Sequence, residues 1–310
     1  MCTSDDCIIL TDMRSVYREE RCRSALNGVR GMHFKWSLNP YTGCAHRCTF
    51  CYVRAFEQRA DRPWDDRYGQ AVRVKLNIAE VLARELARPS WAREEVVVGA
   101  ATDPYQPAEG RYRLTRACLS LLAEHRTPIC VITRGTLIVR DIDVLRSAAQ
   151  RVAVSVSLSV PTLDESLWRS TEPGTAPPRQ RLRALRLLRN AGIRAGVALA
   201  PILPGLSDGT ESLAAVVRAA RDAGAAYVWT ELLHLKPGTR EHFLALLARD
   251  WPQELERYRR LYSERAYRPA HERQDLRRQL AELLRSIPPR PESVPILAPP
   301  PEAEQLGLAI

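Results

Sequence analysis

The sequence predicts an α/β protein: a partial, TIM-like (β/α)6 barrel followed by a helical extension. Two observations carry that expectation. Short apolar runs alternate with amphipathic helical stretches from residue 33 to residue 235, and after the first run each is apolar nearly throughout. Strands of that kind are buried on both faces, as in parallel sheets whose crossovers are helices. Six units are too few for the full eightfold barrel of about 250 residues, so an open, partial barrel fits.

Residues 1–30 are polar, with arginines at 14, 18, 21, 23 and 30, and read as a leader lying on the core and in part disordered. From His33 to Asn39 the pattern alternates and then meets Pro40, which predicts a first strand running into the loop that follows. Residues 73–88 place Val74, Ile78, Val81, Leu82 and Leu86 at helical spacing. Strands are expected at 95–102, 128–133, 151–160, 193–202 and 225–235. Helices are expected between them at 112–125, 140–149, 178–191 (with Gly192 as C-cap) and 209–223. After Pro237, residues 240–250, 253–266 and 271–286 read as amphipathic helices, Leu255, Tyr258, Leu261 and Tyr262 forming one stripe. Residues 287–310 carry seven prolines and read as a hanging tail. The expected division is a leader 1–30, a barrel core 31–236, a helical extension 237–286 and a tail 287–310.

Composition narrows the setting. A net charge of +10 attracts polyanions, so nucleic acid is a candidate partner, set against arginines that are simply solvated. The arginines at 179, 181, 183, 186 and 189 read as such a solvated helix face. No apolar run reaches the ~20 residues a membrane helix needs. The first residues lack the basic and apolar regions of a signal peptide. Of eight cysteines, Cys2, Cys7, Cys22, Cys118 and Cys130 are scattered, which suits a reducing cytoplasm better than a disulfide framework.

The other three, Cys44, Cys48 and Cys51, stand in the loop after the first strand at C-x3-C-x2-C spacing, flanked by Phe50 and Tyr52. A short loop brings three thiolates together at small entropic cost. Disulfides would leave one cysteine over. Structural zinc wants four ligands, and His46, two residues from both Cys44 and Cys48, would offer a cramped fourth. A four-iron cluster takes cysteine thiolates and, with three supplied, keeps one iron free for another ligand. The cluster is the preferred reading over zinc.

C-x3-C-x2-C with an aromatic before the third cysteine is similar to the signature of radical S-adenosylmethionine (SAM) enzymes. NPYTGCAHRCTFCYVR, GAATDPYQPAEGRYRLTR, ITRGTLIVRDIDVL and LAPILPGLSD resemble the branch related to spore photoproduct lyase, often labelled DNA repair photolyase. ELLHLKPGTREHF resembles an actinobacterial-type subgroup of it, and the resemblance spans about residues 31–270. It implies a partial barrel with a [4Fe–4S] cluster on Cys44, Cys48 and Cys51, SAM on the free iron, and an external electron donor of flavodoxin or ferredoxin type. It implies reductive cleavage of SAM to a 5′-deoxyadenosyl radical that abstracts hydrogen from a nucleic acid or small metabolite.

By the same resemblance Phe50 packs beside the adenine and the backbone at Tyr52 bonds its edge. Ala101, Thr102 and Asp103 receive the SAM amino group, where an oxygen suits an ammonium. Arg134 meets the carboxylate. Ser157 serves the ribose hydroxyls, alternation placing it on one face with Ser155 and Ser159, and Pro201 brings backbone groups to the adenine. His234, ending the sixth strand, either points into the barrel or is a satisfied structural histidine; Tyr105 and Tyr112 either relay a hydrogen atom or pack. One departure matters: the lyases carry a hydrogen-donating cysteine after the second strand, and here that loop reads Gly99-Ala100-Ala101-Thr102-Asp103. Repair of the thymine dimer is therefore not expected. The competing reading is a non-catalytic iron–sulfur or zinc protein that binds nucleic acid through its basic surface.

Overall fold

A computed structural model describes residues 15–289 and 294–299. Ten strands are present among them: β1 Val16–Glu20, β2 Leu26–Gly28, β3 Trp36–Leu38, β4 Tyr41–Thr42, β5 Ala71–Lys75, β6 Val96–Val98, β7 Ile129–Thr133, β8 Val154–Ser159, β9 Arg194–Ile202 and β10 Val228–Leu232. The main sheet has the order β10-β9-β8-β7-β6-β3-β2. All its pairs are parallel except the antiparallel edge pair β2–β3. The six parallel strands fall at the six apolar runs, and helices cross over between them, giving the expected α/β partial barrel. Val96, Val97 and Val98 are buried on both faces, as an apolar run without alternation requires.

The described part of the leader lies on the core, but as strands that its sequence pattern does not announce. β1 pairs in parallel with β5, which also pairs with β4, and β2 joins the main sheet's edge. Asn77 ties the leader down further: its side chain accepts from the Cys22 N–H at 2.7 Å and donates to the Cys22 carbonyl at 3.0 Å. Val74 accordingly belongs to β5, and the helix expected over 73–88 is shortened to Ile78–Leu86. The helix expected at 112–125 is two, Pro107–Tyr112 and Leu114–Glu124, broken at Arg113 with φ +54°. Part of the tail is also docked: the Leu297 N–H donates to the Gly192 carbonyl at 2.8 Å. What the sequence leads one to expect of the leader's residues 1–14 and the tail's residues 290–293 and 300–310 lies outside the described residues.

After β10 come helices Thr239–Asp250, Pro252–Leu261 and Ala270–Ser286. Phe243, Leu246, Leu247, Tyr258 and Tyr262 form a second core with Leu203, Leu233, Cys48 and Phe50, so the extension packs directly behind the cysteine loop. Ala270–Ser286 lies against β10 and covers the sheet's edge. Among the described residues no helix is long and apolar enough to cross a membrane.

Candidate active site

The strands' C-terminal ends surround one cavity of about 460 Å³. Cys44, Cys48 and Cys51 all line it, joined by the loop after β6, the end of β7, the last residue of β8, the end of β9, Trp229 and Glu231 of β10, and Leu233 and His234 just after it. Cys44 and Cys48 are buried and Cys51 is half-buried, its Sγ 3.7 Å from the Tyr68 hydroxyl. Burial pushes the Cys44 thiol well above its ordinary range, with Asp103 and the other two thiols adding to the effect. Burial pushes Cys48 up to about 12, although the Arg134 guanidinium works the other way. Three thiolates cannot share this pocket without a cationic centre to compensate them, and a metal cluster supplies one. His46 stands beside Asp103, its Nδ1 3.2 Å from Asp103 Oδ2. Among the described residues no group of three or more His, Cys, Asp or Glu could hold a single metal ion. The donor set fits a cluster that spreads its thiolates over several irons.

The cysteine loop is held from several sides, and sequence reasoning missed every holder. Gln106, fully buried, accepts from the Ala45 N–H at 3.0 Å and donates to the Gly43 carbonyl at 3.1 Å. Arg54, 2% exposed, donates to the carbonyls of Cys48, Trp64 and Asp65 and lies over the Tyr68 ring. Thr49 donates its N–H to the Thr171 carbonyl at 2.9 Å, and Gly174 donates to the His46 carbonyl at 3.1 Å. Thr239 of the extension donates its hydroxyl to the Cys51 carbonyl at 3.1 Å. These bonds satisfy loop backbone groups that would otherwise be buried unpaired.

Of the residues anticipated for SAM, Phe50, Tyr52, Ala101, Thr102, Asp103, Arg134 and Pro201 line this cavity and Ser157 does not. The Ala101 and Thr102 N–H groups donate to Asn39 Oδ1 at 2.9 and 3.2 Å, and Thr102 Oγ1 donates to the Tyr41 carbonyl at 3.0 Å. The Asp103 carboxylate accepts from the Thr133 hydroxyl and the Arg134 N–H, both at 2.6 Å. Burial alone would raise its pKa; His46, Thr133 and the Arg134 N–H outweigh burial and hold it at about 2. The Tyr52 hydroxyl donates to the Ala100 carbonyl, and the Arg134 guanidinium sits 5.5 Å from the Phe50 ring centre.

Ser157 lies one layer below. Trp229 Nε1 donates to Ser157 Oγ at 3.1 Å, and the Tyr227 hydroxyl is 3.2 Å away. The Trp229 indole lines the cavity above it, so Ser159, two residues further up β8, is the serine that reaches the cavity. His234 does line the cavity and stacks on Tyr267, ring centres 4.8 Å apart. Burial, with Lys236 adding, lowers its pKa to about 4, leaving it neutral at pH 7. Tyr105 and Cys118 belong to the main core, and the Tyr112 hydroxyl bonds Glu19, so none of the three faces the cavity.

Residues 38–217, more than half of the chain, match the radical SAM superfamily. The chain belongs to the radical SAM superfamily. A radical SAM enzyme uses a [4Fe–4S] cluster and SAM, the cofactors that this donor set and cavity fit. The chain is 40% identical over 297 residues to an uncharacterized protein of Mycobacterium tuberculosis (strain H37Rv), covering 91% of this chain and 87% of that protein. This relative agrees with the actinobacterial-type subgroup. Among solved structures, the radical SAM fold here resembles a mutant of spore photoproduct lyase, with TM-score 0.67 and 14% identity over 87% of this chain and 79% of the other. It also resembles a mutant lyase with bound AdoMet and dinucleoside spore photoproduct, with TM-score 0.66 and 12% identity over the same shares.

Proposed function

We propose that this radical SAM enzyme holds its cluster on Cys44, Cys48 and Cys51 and seats SAM between that loop and the ends of β6 to β9. The observation that carries this reading is the convergence of three thiols with Phe50, Thr102 and Arg134 on one cavity. When bound, the cluster and SAM supply a one-electron cleavage of the sulfonium to methionine and a 5′-deoxyadenosyl radical, which takes a hydrogen atom from the substrate. The chain's part is to bind, orient and exclude water. Phe50 offers an apolar face to the adenine, the loop 101–103 its oxygens to the ammonium, and Arg134 its guanidinium to the carboxylate. Trp229, Glu231 and His234, on the β10 side of the same cavity, are left to face the substrate. An external one-electron donor of flavodoxin or ferredoxin type serves the site, and the cytoplasm is the compartment that keeps such thiols reduced.

The test is direct. Anaerobic protein reduced with dithionite is expected to release 5′-deoxyadenosine from SAM slowly, even without substrate; no release from protein loaded with iron and sulfide would refute the reading. Thr102→Val removes the hydroxyl that holds the Tyr41 carbonyl. It is expected to weaken SAM binding about tenfold, roughly 1.4 kcal/mol, with iron content unchanged; wild-type affinity by titration calorimetry would place SAM elsewhere.

The cavity also bears on substrate. Among the described residues, Cys44, Cys48 and Cys51 are the only cysteines lining it. With those three committed to the cluster, no thiol among the described residues stands ready in the cavity to return a hydrogen atom to a substrate radical. The enzyme is therefore expected not to convert dinucleotide spore photoproduct to thymidine at a useful rate, whereas any non-specific DNA binding should fall steeply with salt. Chromatographic quantification of thymidine checks this, and repeated turnover to intact thymidine would overturn it.

A further inference from the structure

Between β8 and the helix Pro178–Asn190 the chain makes an excursion that contains the short helix Glu165–Thr171 and returns through Glu172 and Gly174. It is joined to the cysteine loop at Thr49 and His46, and it carries Glu172 into the interior, where the carboxylate is 1% exposed. Two guanidiniums meet that carboxylate. Arg134 donates Nε to Glu172 Oε1 at 2.5 Å, and Arg181, fully buried, donates Nη1 at 3.0 Å to Oε2. Arg181 is fixed in turn by the carbonyls of Ala176 and Ser159 and by the Thr175 hydroxyl, so it cannot follow Arg134 if the latter moves.

Arg134 spends its Nη2 on the Ala200 carbonyl at 2.9 Å, while its Nη1 has no hydrogen bond among the described residues and the side chain lines the cavity. Asp103, whose carboxylate accepts the Arg134 N–H, is a second anion acting on this arginine, and the unbonded Nη1 on the cavity suits an anionic acceptor there. A long, flexible side chain with two hydrogen bonds on its guanidinium presents its remaining donor at a defined place.

We propose that Glu172 is a positioning residue: anchored by Arg181 and by the excursion's attachment to the cysteine loop, it aims Arg134 Nη1 at the carboxylate of SAM. This rests on the reading of the cavity as the SAM site. Glu172 touches neither cofactor; it acts through Arg134.

The test compares SAM with decarboxylated SAM, which keeps the adenosine, sulfonium and amine and lacks only the carboxylate. Dissociation constants are measured by anaerobic calorimetry on cluster-loaded protein, beside iron content. In the wild type the carboxylate is worth its contact with Arg134 together with whatever else it binds. In Glu172→Gln, which keeps the volume and removes the charge, the preference for SAM over the decarboxylated form is expected to fall about tenfold, as befits one charge-assisted hydrogen bond. Binding of decarboxylated SAM itself should hardly change. A purely structural role would weaken both ligands alike or strip the iron. An unchanged preference overturns the proposal. If Glu172→Gln does not fold, Glu172→Asp, which keeps the charge but pulls it back, is read in the same way: a reduced preference supports the proposal and an equal one overturns it. Wild-type protein that binds a cluster but neither ligand would remove the SAM site itself, an outcome distinct from both.

Discussion

Replacing Cys44, Cys48 or Cys51 singly by Ala is expected to abolish the brown chromophore, the bound iron and sulfide, and all 5′-deoxyadenosine formation. On the proposed reading each substitution takes a protein ligand from an iron. The fold should survive. The lost group is one sulfur on a loop held independently by Gln106, Arg54 and Thr239. The cost to the apoprotein is expected to be about 1 kcal/mol, that of one deleted buried atom group. Cys118→Ala supplies the contrast. Cys118 is fully buried in the main core and does not line the cavity, so its loss should lower stability by a similar amount and leave iron untouched. Iron and sulfide analysis beside thermal melts decides the matter; four irons retained in the motif variants, or stoichiometric zinc without sulfide, would sink the cluster assignment.

The second large effect is expected at two glycines that let other segments press on the cysteine loop. A Cβ at Gly174 would overlap the Ala45 carbonyl oxygen and stand 2.8 Å from His46 Cα. A Cβ at Gly69, where φ is +79°, would overlap the Cys44 carbonyl oxygen and stand 2.9 Å from Arg47 Cγ. In both places the obstacle is backbone, which cannot rotate out of the way as a side-chain tip can. Gly174→Ala and Gly69→Ala should each cost about 2–3 kcal/mol and cut iron incorporation severalfold, because the loop must shift to admit the methyl group. Gly69→Ala should be the worse, since positive φ adds its own penalty. Gly28→Ala, whose Cβ would meet nothing closer than Trp36 Cζ3 at 4.0 Å, is the control expected to be near neutral. Thermal melts and iron per chain measure these effects, and full iron loading in Gly174→Ala would show that the loop is not clamped there.

The sequence alone determined the six parallel strands and the gathering of three cysteines in one loop, and for one reason: each signal is local. A continuous apolar run such as Val96–Val98 states its own burial, and three cysteines in one short loop converge without help from the rest of the chain. What the tertiary structure decided depends on partners remote in sequence. β1 has no apolar pattern to announce it, with Val16 61% exposed; it is a strand because its backbone pairs with Ala71–Lys75. Alternation along β8 could place Ser155, Ser157 and Ser159 on one face, but only the Trp229 indole, arriving from β10, decides which of them meets the cavity. The arginines at 179, 181, 183, 186 and 189 looked alike on a helix face. Arg179, Arg183 and Arg186 are exposed, whereas Arg181 and Arg189 are buried. Arg181 can be buried because Glu172, Thr175 and the Ser159 carbonyl surround its guanidinium once the excursion after β8 folds back. A charge enters the interior only where the closed fold has assembled its partners, and a one-dimensional pattern carries no record of that assembly.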